Sequence, residues 1–133
     1  MTEQQKDKLK YNNEIYSING ELLNEYLDEN RIELVAPTSA CWRGYYGTWE
    51  IIDNKLYLIE LRAYLPGFKE VDLNYFFPNQ DKVFAYWING EVPLPTGIIK
   101  EYIHLPFGST HDEYLYLNFK NGELIGTRIK RYD

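Results

Sequence analysis

A single cysteine, two histidines and no apolar run of membrane-spanning length set the first limits on this chain. One thiol leaves no intramolecular disulfide framework, and a zinc site would need ligands other than cysteine; a lone thiol suits a reducing compartment. With no run near the roughly 20 apolar residues that cross a bilayer, no membrane helix is expected. The opening MTEQQKDKLK is polar and no apolar stretch follows it, so no secretory leader is expected, and a cytoplasmic location is. Basic residues are the scarcer sign, 14 against 20 acids, for a net charge of −6. That balance argues against a general nucleic-acid binder, which needs a basic footprint. It is compatible with a basic protein partner and also serves plain solubility. Also missing are a Gly-rich phosphate loop after a strand, GxSxG, HExxH and CxxC. These absences point away from an enzyme.

Tyrosine is what the chain has in excess, 13 residues beside three tryptophans and six phenylalanines. Tyrosine is stiff and amphipathic, at home both in strands and on recognition surfaces. Its densest setting is CWRGYYGTWEIIDNKLYLIEL, residues 41–61. Two apolar runs flank Asp53-Asn54, whose residues tolerate positive φ, so a two-residue primed turn is expected there. It would set Ile51 opposite Leu56 and Trp49 opposite Leu58 on one face, with Glu50 opposite Tyr57 and Thr48 opposite Ile59 on the other. Gly44 and Gly47 mark a bulge or sharp bend in the first strand.

On either side of this hairpin the pattern stays mostly β. Residues 1–10 read as a flexible charged arm and 11–133 as one β-rich domain. A weak alternation over 11–18 suggests a first edge strand. Leu22, Leu23, Tyr26 and Leu27 fall at helical spacing, giving one short amphipathic helix over 21–29, with a strand from Glu21 as the alternative. A short strand over 32–35 ends at Pro37. The second strand of the central hairpin should run over 55–64 to Pro66-Gly67. Residues 71–77 could form a helical turn capped by Asp72. Asn89-Gly90 predicts a hairpin that pairs Trp87 with Val92 and Ala85 with Leu94, its return strand held to an edge by Pro93 and Pro95. Another strand is expected over 98–105. A last hairpin turns at Asn121-Gly122, with Lys120 facing Glu123, Phe119 facing Leu124, and Leu115, Leu117 and Phe119 pointing inward. The fold class is therefore mainly β with one short helix: a strongly bent antiparallel sheet, barrel-like or sandwich.

Few residues carry chemistry on their own. His104 and His111, with Asp112 and Glu113 beside the second, match no metal-ligand spacing, so no metal and no cofactor are expected. Cys41 would need a base or a helix N-terminus to act as a nucleophile, and neither is evident. Arg43 sits among aromatics, where it could stack, pair with Glu50 or Glu60 and brace the hairpin, or anchor a partner. From Glu21 to Glu33 five acids face one base, and Glu25, Asp28 and Glu29 would present an acidic helix face to a basic partner. Alternatively, Trp42, Tyr45, Trp49 and Trp87 could line an aromatic pocket for a small ligand.

The segments WRGYYGTWEI…KLYLIEL, VFAYWINGEVPLPTG and EYIHLPFGS together resemble a family of small uncharacterised bacterial domains. The likeness extends over roughly residues 15–125 and rests on a W-R-G-Y…W-E-I hairpin and an F-A-x-W-x-x-G segment. It implies no activity and no catalytic residues; genes of such acidic domains often accompany secreted toxins. Taken with size, acidity and aromatic excess, the expectation is a non-enzymatic interaction protein, an immunity-type inhibitor of a toxin. A small-ligand barrel and a hydrolase using His104, His111 or Cys41 are the alternatives.

Overall fold

The computed structural model describes residues 6–18, 22–38, 41, 43–95 and 112–132. Its frame is a mixed α+β fold dominated by one bent, sandwich-like sheet that does not close into a barrel. In chain order the elements are β1 (Asp7–Tyr11), β2 (Glu14–Ile18), α1 (Asn24–Glu29), β3 (Tyr45–Ile52), β4 (Lys55–Leu65), β5 (Lys69–Asp72), α2 (Leu73–Phe76), β6 (Val83–Phe84), β7 (Gly90–Pro95), β8 (Asp112–Lys120) and β9 (Glu123–Tyr132). The strands run β2-β1-β3-β4-β9-β8-β7, with β5 and β6 added along β4. The two end strands, β2 and β7, come into contact as the sheet curls.

Three tight turns set the registers. Asn12-Asn13, Asp53-Asn54 and Asn121-Gly122 all have positive φ at both central residues, the conformation whose twist matches that of paired strands. The central hairpin pairs Ile51 with Leu56, Glu50 with Tyr57 and Trp49 with Leu58, as the alternation dictates. Thr48 then faces Glu60 rather than Ile59, because Ile59 is an extra residue in β4 and forms a bulge. The β8–β9 hairpin likewise pairs Lys120 with Glu123 and Phe119 with Leu124. Leu117 and Phe119 are buried and Leu115 half-buried.

Several sequence expectations are corrected. Residues 7–10 are not arm but the first four residues of β1, an inner strand that pairs β2 on one side and runs parallel to β3 on the other. Asn12-Asn13 supplies the turn that the weak alternation over 11–18 hid. The sheet is accordingly not wholly antiparallel. Residues 32–35 form no strand; Val35 N–H donates one bond to Tyr64 O at 2.8 Å. The expected 89–90 hairpin is absent. After the two-residue β6, Ala85 N–H bonds to Leu56 O, the chain turns, and β7 pairs β8 instead, Val92 facing Leu117 and Leu94 facing Leu115. Within that pairing β7 is an end strand, where Pro93 and Pro95 cost no ladder bonds. The strand expected over 98–105 lies outside the described residues.

The core collects on the concave face. Leu9, Tyr45, Trp49, Leu56, Leu58 and Leu117 are fully buried there, joined by Leu27 of α1 and by Leu22 and Leu23 just before it. Helix α1 is six residues long and starts at Asn24, later than the pattern over 21–29 suggested. Polar groups anchor it at its start as well: Trp87 Nε1–H donates to Leu22 O, two residues before the helix, and Tyr45 OH donates to Asn24 Oδ1 at 2.9 Å. Asp72 caps α2 by accepting from Tyr75 N–H at 3.3 Å, as its sequence position suggested. Among the described residues no helix is long and apolar enough to cross a membrane.

Candidate functional site

Two places on this frame concentrate polar groups. One is internal. Asp7 is 1% exposed, although β1 carries it in from the chain's start. Its Oδ1 accepts Gly47 N–H at 3.0 Å and lies 3.0 Å from Arg43 Nη2, while Oδ2 accepts Trp49 Nε1–H at 3.0 Å. A side chain at position 47 would press on the Trp49 indole nitrogen at 2.9 Å and on Asp7 Oδ2 at 3.1 Å, so glycine leaves the space the carboxylate uses. Burial pushes the Asp7 carboxyl above its ordinary value, against the pull of the Gly47 N–H bond and the Arg43 charge. The Arg43 guanidinium also lies over the Tyr45 ring, 4.9 Å from its centroid. Its ion-pair partner is thus Asp7 rather than Glu50 or Glu60, and it ties β1 to the start of β3. The cluster is a structural clamp, because every polar atom of the carboxylate is already engaged.

The second place is open. On the side away from β3, β4 is paired by β9 at Lys55, by β6 at Tyr57 and Leu58, and by β5 from Arg62 to Leu65. Among the described residues nothing pairs that edge at 59–61, where the bulge bends the strand. A broad cleft of about 1160 Å³ opens there, walled by residues 59–62 of β4, residues 70–75 of β5 and α2, and the loop 79–81. Four acids line it (Glu60, Glu70, Asp72 and Asp81) against one base, Arg62. Glu70 is held by Tyr64 OH at 3.1 Å and by Arg62 Nε at 3.8 Å, and Asp72 by its cap. Glu60 and Asp81 have no ion-pair partner among the described residues. The rim loop is pinned where Asn74 Oδ1 accepts Asn79 N–H at 3.0 Å, so the acids sit on ordered backbone.

No protein-family model, curated protein or solved structure matches the chain. The geometry therefore has to speak for the site.

The residues proposed from sequence divide cleanly. Glu25, Asp28 and Glu29 are exposed on α1, open to a partner. Helix α1 is linked to the cleft's border, since Tyr26 packs 5.0 Å from Phe77, the residue that ends α2. Tyr45, Trp49 and Trp87 are not pocket walls but core: they are 0%, 0% and 3% exposed, with Trp49 and Trp87 edge to face at 6.3 Å. Trp42, His104 and His111 lie outside the described residues. Cys41 is buried, its thiol 3.6 Å from Tyr45 O. Beside it the Tyr46 phenol is pushed up to about 12, first by burial and then by the Cys41 contact, so it stays neutral at physiological pH. Among the described residues no three His, Cys, Asp or Glu side chains are grouped to hold a metal. Sequence reading missed Asp7 and the 59–61 gap. The bulge or bend expected from Gly44 and Gly47 in the first strand is instead a bulge at Ile59 of β4, and Gly47 makes room for the Asp7 carboxylate and the Trp49 indole.

Proposed function

We propose that this chain is a non-enzymatic interaction module of the bacterial cytoplasm that engages a basic protein, in the manner of an immunity-type inhibitor covering a toxin's active site. The observation that carries the reading is the acidic cleft at the broken edge of β4. Four acids against one base, on backbone fixed by capping and Asn bonds, give a surface that attracts Lys and Arg side chains and speeds their approach. The exposed acids of α1 add a separate negative patch. The resemblance to small acidic domains that accompany toxins points the same way.

Affinity capture from the source cell's lysate, at low and at moderate salt, tests it. The expected product is one stoichiometric basic protein whose retention falls as salt screens the interaction. The double variant Glu60→Lys/Asp81→Lys, which touches no described ion pair, should weaken that complex about tenfold or more. The triple variant Glu25→Lys/Asp28→Lys/Glu29→Lys reads the share of α1. A partner held equally by both variants and insensitive to salt would reject the reading.

A further inference from the structure

The break in β4 aims a main-chain donor into the acidic cleft. Its direction follows from the regular stretch beyond the bulge. Tyr64 N–H donates to Gly44 O at 2.9 Å and Tyr64 O accepts Val35 N–H, so the main-chain groups of residue 64 face the β3 side. Alternation along the strand sends those of Ala63 and Leu61 to the opposite edge. The β3 side agrees: Leu61 lies opposite Gly47, whose N–H goes to Asp7 Oδ1 and not to β4. Ala63 finds Val71 of β5 on the outer edge. By the same register Leu61 would find residue 73, but Asp72 caps α2 and the chain leaves the sheet there. Leu73 O is used inside that turn, accepting Phe77 N–H at 2.9 Å. Leu61 N–H has no acceptor among the described residues, although Leu61 is only 6% exposed. A main-chain donor at so buried a residue is rarely left without a partner.

We propose that the basic partner is held by strand addition: an extended segment of it enters the cleft, and one of its carbonyls accepts Leu61 N–H. The inference rests on the basic-partner reading above and names the form in which that partner binds. The segment is short, because β6 ends its pairing at Leu58 and β5 begins at Arg62. The three residues between them span about 10 Å of edge. Paired strands share their faces, so the side chain opposite Leu61 lies on the face of Leu61, beside Leu73 in the cleft wall. Its two neighbours lie on the face of Glu60. An apolar residue flanked by Lys or Arg therefore fits, with its cations close to Glu60 and within the cleft that Asp81 also lines, the two acids that lack an ion-pair partner among the described residues.

A synthetic probe tests this: the end-capped peptide Thr-Arg-Val-Arg-Thr, which sets valine against Leu61 in either strand direction. By amide NMR at low salt it should bind with a Kd on the order of 100 µM, as so short a segment gives. It should move the Leu61 amide proton downfield and slow its hydrogen exchange at least about tenfold. The same peptide with D-valine keeps the charge but not the extended ladder, and should bind at least about fivefold more weakly. Glu60→Lys/Asp81→Lys should weaken the L-peptide about tenfold or more. Equal binding of the two peptides overturns the inference, as does no binding at about 1 mM. So does a Leu61 amide that already resists exchange in the free protein. None of these outcomes bears on the capture of a salt-sensitive basic protein, which alone decides the wider reading.

Discussion

Asp7→Ala should lower the unfolding free energy by about 3–5 kcal/mol, the usual result of removing one partner from a buried ion pair. Three donors lose their acceptor together: Gly47 N–H, the Trp49 indole and the Arg43 guanidinium. The first two sit at buried residues and cannot recruit water without opening the β1–β3 seam, where each unmet donor costs about 1–3 kcal/mol. Arg43 is less captive, its side chain being 14% exposed. Asp7→Asn keeps the shape and one acceptor but sets an amide against a donor, so a smaller loss of about 1–3 kcal/mol is expected. Urea unfolding at neutral pH measures both. Equal and small losses would mean the clamp contributes little beyond packing.

The same pair of proteins gives a pH signature. Burial raises the Asp7 carboxyl above its ordinary value of 3.8, so the folded chain holds that proton more tightly than the unfolded one. Its stabilising contribution is complete below 3.8 and is lost as pH rises through the raised folded value. The asparagine variant has no such proton. The wild type's advantage over Asp7→Asn should therefore be largest in acid and shrink as pH rises. An advantage that grows with pH would show that Arg43 and the two N–H bonds outweigh burial.

Periodicity and turn chemistry determine only what is local, and the outcome follows that division. The β3–β4 and β8–β9 registers were legible because alternation and a two-residue turn over-determine them, down to Trp49 against Leu58 and Phe119 against Leu124. The bulge at Ile59 was not, since one unpaired residue leaves the flanking pattern intact. Asn89-Gly90 carried the same turn signal and formed no hairpin, because its surroundings offered better partners. Asn89 Oδ1 accepts Asn121 N–H at 2.9 Å, Trp87 enters the core, and β7 finds an open edge on β8. Asp7 was hidden by its neighbours, as MTEQQKDKLK looks solvated and only the distant Arg43, Gly47 and Trp49 explain a buried acid. For the site, the exposed acids of α1 followed from helical spacing, whereas the cleft depends on where β5 and β6 stop along β4, a fact of topology with no local mark.

Gly122→Ala is expected to cost about 2–4 kcal/mol, although the residue is only the second half of a two-residue turn. Part of the cost is conformational. Gly122 has φ +82°, in the left-handed region where a Cβ is strained by about 1 kcal/mol or somewhat more. The larger part is contact, since a Cβ there would lie 2.5 Å from Ala85 O and 2.9 Å from the carbonyl carbon, both backbone atoms that cannot swing aside. Moving them would disturb the junction at which the 85–90 segment joins the two hairpins. Gly122 N–H donates to Ile88 O, Gly122 O accepts Leu56 N–H, and Ala85 N–H donates to Leu56 O, each at 2.9 Å. Gly67→Ala provides the comparison: φ is +91°, and a Cβ would meet nothing within 4 Å. It should therefore show the conformational cost alone, about 1 kcal/mol. Thermal or urea unfolding of the two variants side by side separates the contributions. A clear excess at Gly122 locates the tertiary contact that seats the β8–β9 turn on the 85–90 segment. Equal losses would mean the turn can rise off Ala85, and that the sheet between β4 and β9 is held by far less than these hydrogen bonds imply.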